Sequence, residues 1–293
     1  MIVVHAIAIL QQEIAAWKQN GKTIGLVPTM GALHRGHISL VEKCRTETDC
    51  CIVSIFVNPT QFNDQMDYAS YPKKFKDDSV MLKEACCDIL FAPSEQEMYP
   101  APDTRTFDFG MLDKVMEGRF RPGHFNGVAQ IVSKLFQAAS PDKAFFGEKD
   151  FQQLAIIRAL VQQQNCPVEI VGCPIVRESE GLALSSRNAR LTIKQRQIAT
   201  KISQTLTKSY ALVSSKTVGE TIAFVTEEIN AEPSLRVEYF DIVNGNTLQP
   251  VTDWNEADYI VGCTAVFCGE VRLIDNITYR KQKTLKNATP PCS

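Results

Sequence analysis

The chain has 293 residues, a length that predicts two domains or one large one. Hydrophobic residues make up 44% and charged residues 22%, so there is enough apolar content for a core and a disordered chain is excluded. Thirty-one Lys and Arg against 33 Asp and Glu give a net charge of −2. That balance argues against a broad nucleic-acid or membrane-surface binder but leaves room for a local cationic pocket.

The N-terminal MIVVHAIAIL is apolar, but no Lys or Arg precedes it, and Gln11, Gln12 and Glu13 stand where small cleavage-site residues would be needed. It predicts a strand leading into a helix. No run of about 18 apolar residues predicts a transmembrane helix, and the expected address is the cytoplasm. Thr23–Val27 predicts a buried strand, Pro28–His34 a loop, and Ile38, Leu40, Val41 and Cys44 a helix. Cys51–Val57 is a strand closed by Asn58-Pro59. Val80–Ala85 is helical, and Asp88–Ala92 is a short strand stopped by Pro93. Val128–Ala138 is a helix, Lys143–Phe146 a strand and Phe151–Gln164 a helix. This alternation predicts an α/β fold: a parallel sheet with helices on both faces and ligands at the C-terminal strand ends.

The pattern changes after about Val176. Leu191–Ser214 is a long helical stretch. Val218–Asn230 is a second helix, with Thr217 and Glu220 as a capping box. Val237–Val243, Tyr259–Phe267 and Val271–Ile274 read as strands, which predicts a smaller C-terminal α+β domain. The expected division is 1–176, 177–282 and a loose tail at 283–293. The ten cysteines are too sparse for a disulfide scaffold and read as reduced packing residues, with a zinc site as the alternative.

Five segments carry candidate chemistry. Pro28–His37 joins a strand to a helix, whose N-terminus offers backbone N–H groups to a phosphate, while Gly31 and Gly36 allow close approach. His34 and His37, three apart, share one helix face. Gly31-x-x-x-x-Gly36 has Walker spacing, but His37-Ile38 replaces the Lys-Ser/Thr pair, so a P-loop is rejected. Zinc remains an alternative for the two histidines, although H-E-x-x-H is absent. Asn58 and Gln61 in Phe56–Phe62 suit a hydroxylated or carboxylate substrate; a plain turn is the alternative. Arg119–Gly127, with Arg121 and His124, reads as an anion-binding loop or a solvated one. In Phe146–Gln153, Lys149 suits phosphate and Asp150 a ribose hydroxyl, against a simple acidic helix start. Ala183–Asn188 offers Ser185, Ser186 and Arg187 as a phosphate clamp, or else a polar linker.

These segments, PTMGALHRGH, FVNPTQF, DILFAP with EMYP, RPGHFNGV, FGEKDFQQ and LALSSRN, stand in the order and approximate spacing of one family. The chain resembles the pantothenate synthetase (pantoate–β-alanine ligase) family over about residues 1–280. The resemblance implies a Rossmann-like, doubly wound nucleotidyltransferase domain with a His-x-Gly-His signature, a smaller C-terminal domain and a homodimer. It implies ATP, pantoate and β-alanine as substrates, Mg²⁺ as cofactor, a pantoyl-adenylate intermediate, and AMP and pyrophosphate as products. By motif, it makes Met30, Gly31, Ala32, Leu33, His34, Arg35, Gly36, His37, Gly147, Glu148, Lys149, Asp150, Val176, Leu184, Ser185, Ser186 and Arg187 the ATP contacts. His37, His34, Lys149 and Arg187 are the catalytic set, and Gln61, Gln153, Asn58 and Arg121 serve pantoate and β-alanine. Asp77 is the metal-associated acid, with Asp78 as the neighbouring register. Arg35, Leu184 and Glu180 depart from the family's frequent Glu, Met and Asp.

Other function classes are weighed on the same residues. An enzyme adenylating another small acid is the runner-up. A nicotinamide oxidoreductase lacks G-x-G-x-x-G after a strand. A non-catalytic nucleotide-binding regulator conflicts with the presence of His37 and Lys149.

Overall fold

The computed structural model describes residues 1–63 and 65–281; the predicted tail at 283–293 lies outside them. The elements run β1 (Ile2–Val4), α1 (Ile7–Gln19), β2 (Ile24–Thr29), α2 (Arg35–Glu47), β3 (Cys50–Ile55), α3 (Gln65–Ala69), α4 (Phe75–Glu84) and β4 (Ile89–Phe91). Next come α5 (Glu95–Met98), α6 (Met116–Phe120), α7 (His124–Ala139), β5 (Lys143–Gly147), α8 (Phe151–Gln163) and β6 (Glu169–Cys173). The chain ends with α9 (Ile193–Tyr210), α10 (Val218–Asn230), β7 (Leu235–Asn244), β8 (Tyr259–Cys268) and β9 (Val271–Lys281).

Six strands form one parallel sheet in the order β1-β4-β3-β2-β5-β6. Alternating side chains build two cores. Leu26, Ile52, Ile89 and Ala144 face α1, α7 and α8, whereas Val27, Val53, Leu90 and Phe145 face α2 and α4. Both faces are covered, so the strands read as continuous apolar runs, as buried parallel strands must. From β2 the chain winds outward through β3 and β4, then crosses back to β5 and β6. The order therefore reverses between β2 and β5, and a crevice opens beyond their C-terminal ends.

The second sheet is antiparallel, β7-β8-β9. One face packs on α9 and α10 through Ile202, Leu206, Val225, Ile229, Phe240, Ile242 and Val266. Its other face, with Tyr239, Val261, Cys263 and Ala265, meets Met116 and Phe151 from the first half. The fold is thus a Rossmann-like α/β sheet with a smaller antiparallel C-terminal sheet.

Several elements differ from expectation: the sequence pattern does not predict α3, α5, α6 or β6, and α4 begins at Phe75 rather than Val80. β9 runs on to Lys281 rather than stopping at Ile274, and α7 begins at His124 rather than Val128. The nine described cysteines are all free. Among the described residues no helix is long and apolar enough to cross a membrane.

Candidate active site

A cavity of about 220 Å³ lies beyond the C-terminal ends of β2 and β5. Met30, His34, Gly36, His37, Asn58, Gln61, Gly147, Lys149, Asp150, Gln153, Val176, Leu184, Ser185, Ser186 and Arg187 all line it. Four separated sequence motifs therefore converge on one space. Phe56, Val128, Ile131, Val132 and Leu135 supply an apolar wall; the sequence pattern puts the last four on one helix stripe but gives them no part in the site.

The two histidines form a reciprocal cap at the start of α2. The Gly36 N–H donates to His34 Nδ1 at 3.1 Å, and the His34 N–H donates to His37 Nδ1 at 3.3 Å. A ring nitrogen that accepts carries no proton, so both imidazoles hold theirs on Nε2. The expectation of free helix-start N–H groups is narrowed: the Gly36 N–H is already bonded to the His34 ring, and the imidazole Nε2–H groups are further donors. Burial, then the charge of Lys149, pushes the His34 pKa down to about 4. Burial, then His34 and Lys149, pushes His37 down to about 3. Both rings are neutral donors at pH 7. Lys149 has no ion-pair partner among the described residues and sits where α8 begins, with Asp150 as an N-cap that makes no side-chain cap bond.

The loop before the histidines is held from below. Gly31 (φ 78°) and Ala32 (φ 50°) both adopt left-handed backbone, which turns the next N–H groups inward. The Ala32 and Leu33 N–H groups donate to the two carboxylate oxygens of buried Asp78, at 2.9 and 2.7 Å. Gly31, Ala32 and Leu33 thus shape the loop from behind the cavity lining. Asp77, the expected metal-associated acid, is exposed on α4 and outside the cavity. Helical geometry allows only one of two successive carboxylates to face inward, and it is Asp78. Arg35 also points away from the cavity, in an exposed ion pair with Glu42 at 2.6 Å.

On the opposite wall, Asn58 Nδ2 donates to Gln61 Oε1 at 3.2 Å and to the Gly127 carbonyl at 3.1 Å. Gln61 Nε2 contacts Met30 Sδ at 3.1 Å. Gly127 is required here: a Cβ at that position would lie 2.2 Å from the Thr60 carbonyl oxygen.

The mouth is framed by the hairpin at Val176–Leu184, closed by the Leu184 N–H to the Val176 carbonyl at 3.0 Å. A 3₁₀ turn at Ser186–Arg190 follows. Tyr71 Oη lies 3.3 Å from Ser186 Oγ, and Arg187 Nη2 donates to Asp67 Oδ2 at 3.1 Å. From β9, Asn276 Nδ2 donates to the carbonyls of Glu148 and Lys149, at 2.8 and 3.0 Å, and so fixes the turn after β5. Glu148 contributes backbone to that turn without lining the cavity. Tyr71, Asp67 and Asn276 carried no local sequence signal, because their partners are distant in the chain; Asp78 entered only as the register beside Asp77.

A second, smaller cavity adjoins the first and shares Lys149, Asp150, Gln153, Ser185 and Arg187 with it. Arg121 and His124 line this second space rather than the first. The anion-binding loop expected around them is a helix end, a turn and a helix start, and His124 is buried. Among the described residues no group of three or more His, Cys, Asp or Glu side chains could hold a metal ion, so the histidine pair lacks the ligand set of a zinc site.

A parallel sheet with a polar cavity at its reversal point, set beside a histidine-capped helix, defines an α/β enzyme of the nucleotide-handling class. The family model for pantoate-beta-alanine ligase matches residues 2–278, and the chain belongs to that family. The chain is 59% identical to the pantothenate synthetase of Bacteroides fragilis over 281 residues, covering 96% of this chain and all of that protein. The crystal structure of pantothenate synthetase from Thermus thermophilus superposes with a TM-score of 0.89 at 42% identity, covering 96% of this chain and all of that one. A pantoate-beta-alanine ligase from Francisella tularensis, solved with beta-gamma ATP and β-alanine, gives 0.78 at 36% identity, over 95% and 98% of the two chains. The chain is a ligase that joins pantoate to β-alanine with ATP to form pantothenate.

Proposed function

We propose that the ligation runs through a pantoyl-adenylate. The pantoate carboxylate attacks the α-phosphorus of ATP and pyrophosphate leaves. The amine of β-alanine then attacks the activated carbonyl, sheds a proton, and AMP leaves. The observation that carries this reading is the pair of Nε2–H donors on neutral His34 and His37, presented to the same cavity as Lys149 and Arg187. Four donors around one space suit the charge that develops on a departing pyrophosphate, and a preorganised site needs no rearrangement to supply them. Neutral imidazoles donate without an acidic pH.

In this reading Met30, Gly36, Gly147, Val176 and Leu184 contact the nucleotide, Asp150 takes a ribose hydroxyl, and Ser185, Ser186 and Arg187 clamp phosphate. Gln61 and Gln153 hold pantoate, Asn58 orients Gln61, and Arg121 serves the side from which β-alanine arrives. Among the described residues the cavity lining holds one carboxylate, Asp150, so Mg²⁺ would be held mainly by the ATP phosphates and water rather than by a protein cage. When bound, the ion neutralises phosphate charge. We also propose the division at residue 176, a homodimer in the cytoplasm, and no nucleic-acid or membrane partner.

His37→Ala tests the reading. Single-turnover formation of the adenylate should slow about a hundredfold or more, with the fold retained. Unchanged turnover removes His37 from the mechanism.

A further inference from the structure

His124 is the third histidine of the site region and the motif that the reaction leaves unused. It is only 6% exposed. Its Nδ1 lies 2.8 Å from the Gln61 backbone carbonyl, and its Nε2 lies 3.3 Å from Arg121 Nη1. A carbonyl oxygen can only accept, so Nδ1 must donate. A guanidinium can only donate, so Nε2 must accept. The two partners together fix one neutral form of the ring, with its proton on Nδ1. This is the opposite of His34 and His37.

The groups on either side are also fixed. Arg121 Nη2 donates to the same Gln61 carbonyl at 3.4 Å, and Arg121 Nη1 lies 3.7 Å from Glu117 Oε2. Glu117 in turn accepts both terminal nitrogens of Arg272 from β9, at 2.8 and 2.7 Å, and the Tyr239 hydroxyl at 2.9 Å. A chain of polar contacts thus runs from the C-terminal sheet through Glu117, Arg121 and His124 to the Gln61 backbone. The Gln61 side chain is pinned at its other end by Asn58 and Met30.

We propose that His124 is a positioning residue: its neutral imidazole holds the Gln61 backbone and the Arg121 guanidinium in the geometry that pantoate requires. The inference rests on the assignment of Gln61 to pantoate. Burial, and then the charge of Arg121, pushes the His124 pKa down to about 4, so the form that can bridge both partners persists across the neutral range. A proton added at Nε2 would face an Arg121 N–H, and the bridge would break.

Two measurements test it. Nitrogen-15 NMR of the intact enzyme should show His124 protonated on Nδ1 and unprotonated on Nε2 at pH 7. An Nε2–H ring overturns the proposal, whatever the substrate of Gln61 is. Kinetics then separate positioning from bulk packing. His124→Ala should raise the KM for pantoate about tenfold or more while the KM for ATP stays within about twofold, as expected when the buried bridge to Gln61 and Arg121 is lost. His124→Asn keeps a donor near the Nδ1 position and should recover most of the loss, whereas His124→Gln should not. A pantoate KM within twofold in folded His124→Ala overturns the proposal. So does a parallel rise of both KM values that Asn fails to rescue. If the Ala variant does not fold, the Asn and Gln pair and the NMR result decide. Gln61→Ala is the control: an unmoved pantoate KM there overturns the role of Gln61 and leaves the ring form standing.

Discussion

Arg187 Nη2 and Asp67 Oδ2 lie 3.1 Å apart and tie the 3₁₀ turn at the cavity mouth to α3. Arg190 reaches the other oxygen of the same carboxylate at 3.3 Å. Both side chains of the Arg187 pair are about 30% exposed, so water screens the attraction and the pair is worth about 0–1 kcal/mol. Asp67→Asn should therefore change stability by less than about 1 kcal/mol and kcat/KM for ATP by less than about fivefold. Arg187→Ala removes a proposed phosphate donor and should lower kcat/KM for ATP at least about a hundredfold. Steady-state kinetics on the two variants check the contrast. Equal losses would mean that the ion pair itself is what the reaction needs.

The adjacent acids of α4 should behave differently. Asp78 is 2% exposed and satisfies two backbone N–H groups of the histidine loop. Asp78→Ala leaves both donors buried without a partner, at a cost of about 1–3 kcal/mol each. Asp77→Ala, on the solvent side, should stay within about 0.5 kcal/mol of wild type. Urea midpoints measure both, and a large effect at Asp77 would contradict the geometry.

Gly127 should not tolerate a methyl group. The added Cβ would sit against the backbone of Thr60 and Gln61, at 2.2 Å from one carbonyl oxygen, and backbone cannot rotate away as a side chain can. Gly127→Ala should lose about 1–3 kcal/mol of stability through overpacking, even though Ala is the better helix former. The displaced turn carries Gln61, so the pantoate KM should rise as well. A more stable variant with unchanged KM would show that the two segments separate easily.

The buried imidazoles predict a stability that falls in acid. His34, His37 and His124 have folded pKa values of about 4, 3 and 4, below the ordinary 6.5. Between those values the unfolded chain binds more protons than the folded one, so stability rises with pH. The contribution is complete above pH 6.5 and declines as pH falls toward 4 and then 3. The slope is at most about 1.4 kcal/mol per pH unit for each group. His37→Gln should flatten the curve of Tm against pH between about 6.5 and 4. An unchanged slope would mean that His37 titrates normally in the folded protein.

The parts of the fold and site that were legible in the sequence are those with local causes. β2, β3 and β4 are apolar runs because both their faces are buried, and the His34/His37 spacing already contains its own cap. β6 is not legible because Glu169 and Gly172 interrupt a five-residue edge strand. β9 extends past its apolar pattern for a related reason. Asp275 and Asn276 break the apolar alternation, yet both are buried, Asp275 by a bidentate pair with Arg177 and Asn276 by the turn after β5. The resemblance offered Asp78 only as the register beside Asp77; its role as an anchor for the loop was not legible, because it depends on N–H groups more than 40 positions away. The motifs placed Arg121 and His124 near the site, but only tertiary contacts show that they line the adjoining cavity and hold Gln61 by its backbone.

The most direct measurement is exchange of labelled pyrophosphate into ATP with pantoate present and β-alanine absent. An adenylate formed before β-alanine arrives makes the first half-reaction reversible on the enzyme, so label should enter ATP only when pantoate is supplied. His37→Ala should slow that entry in proportion to its loss of turnover. Absence of exchange in a folded enzyme that binds both ATP and pantoate would contradict the adenylate route.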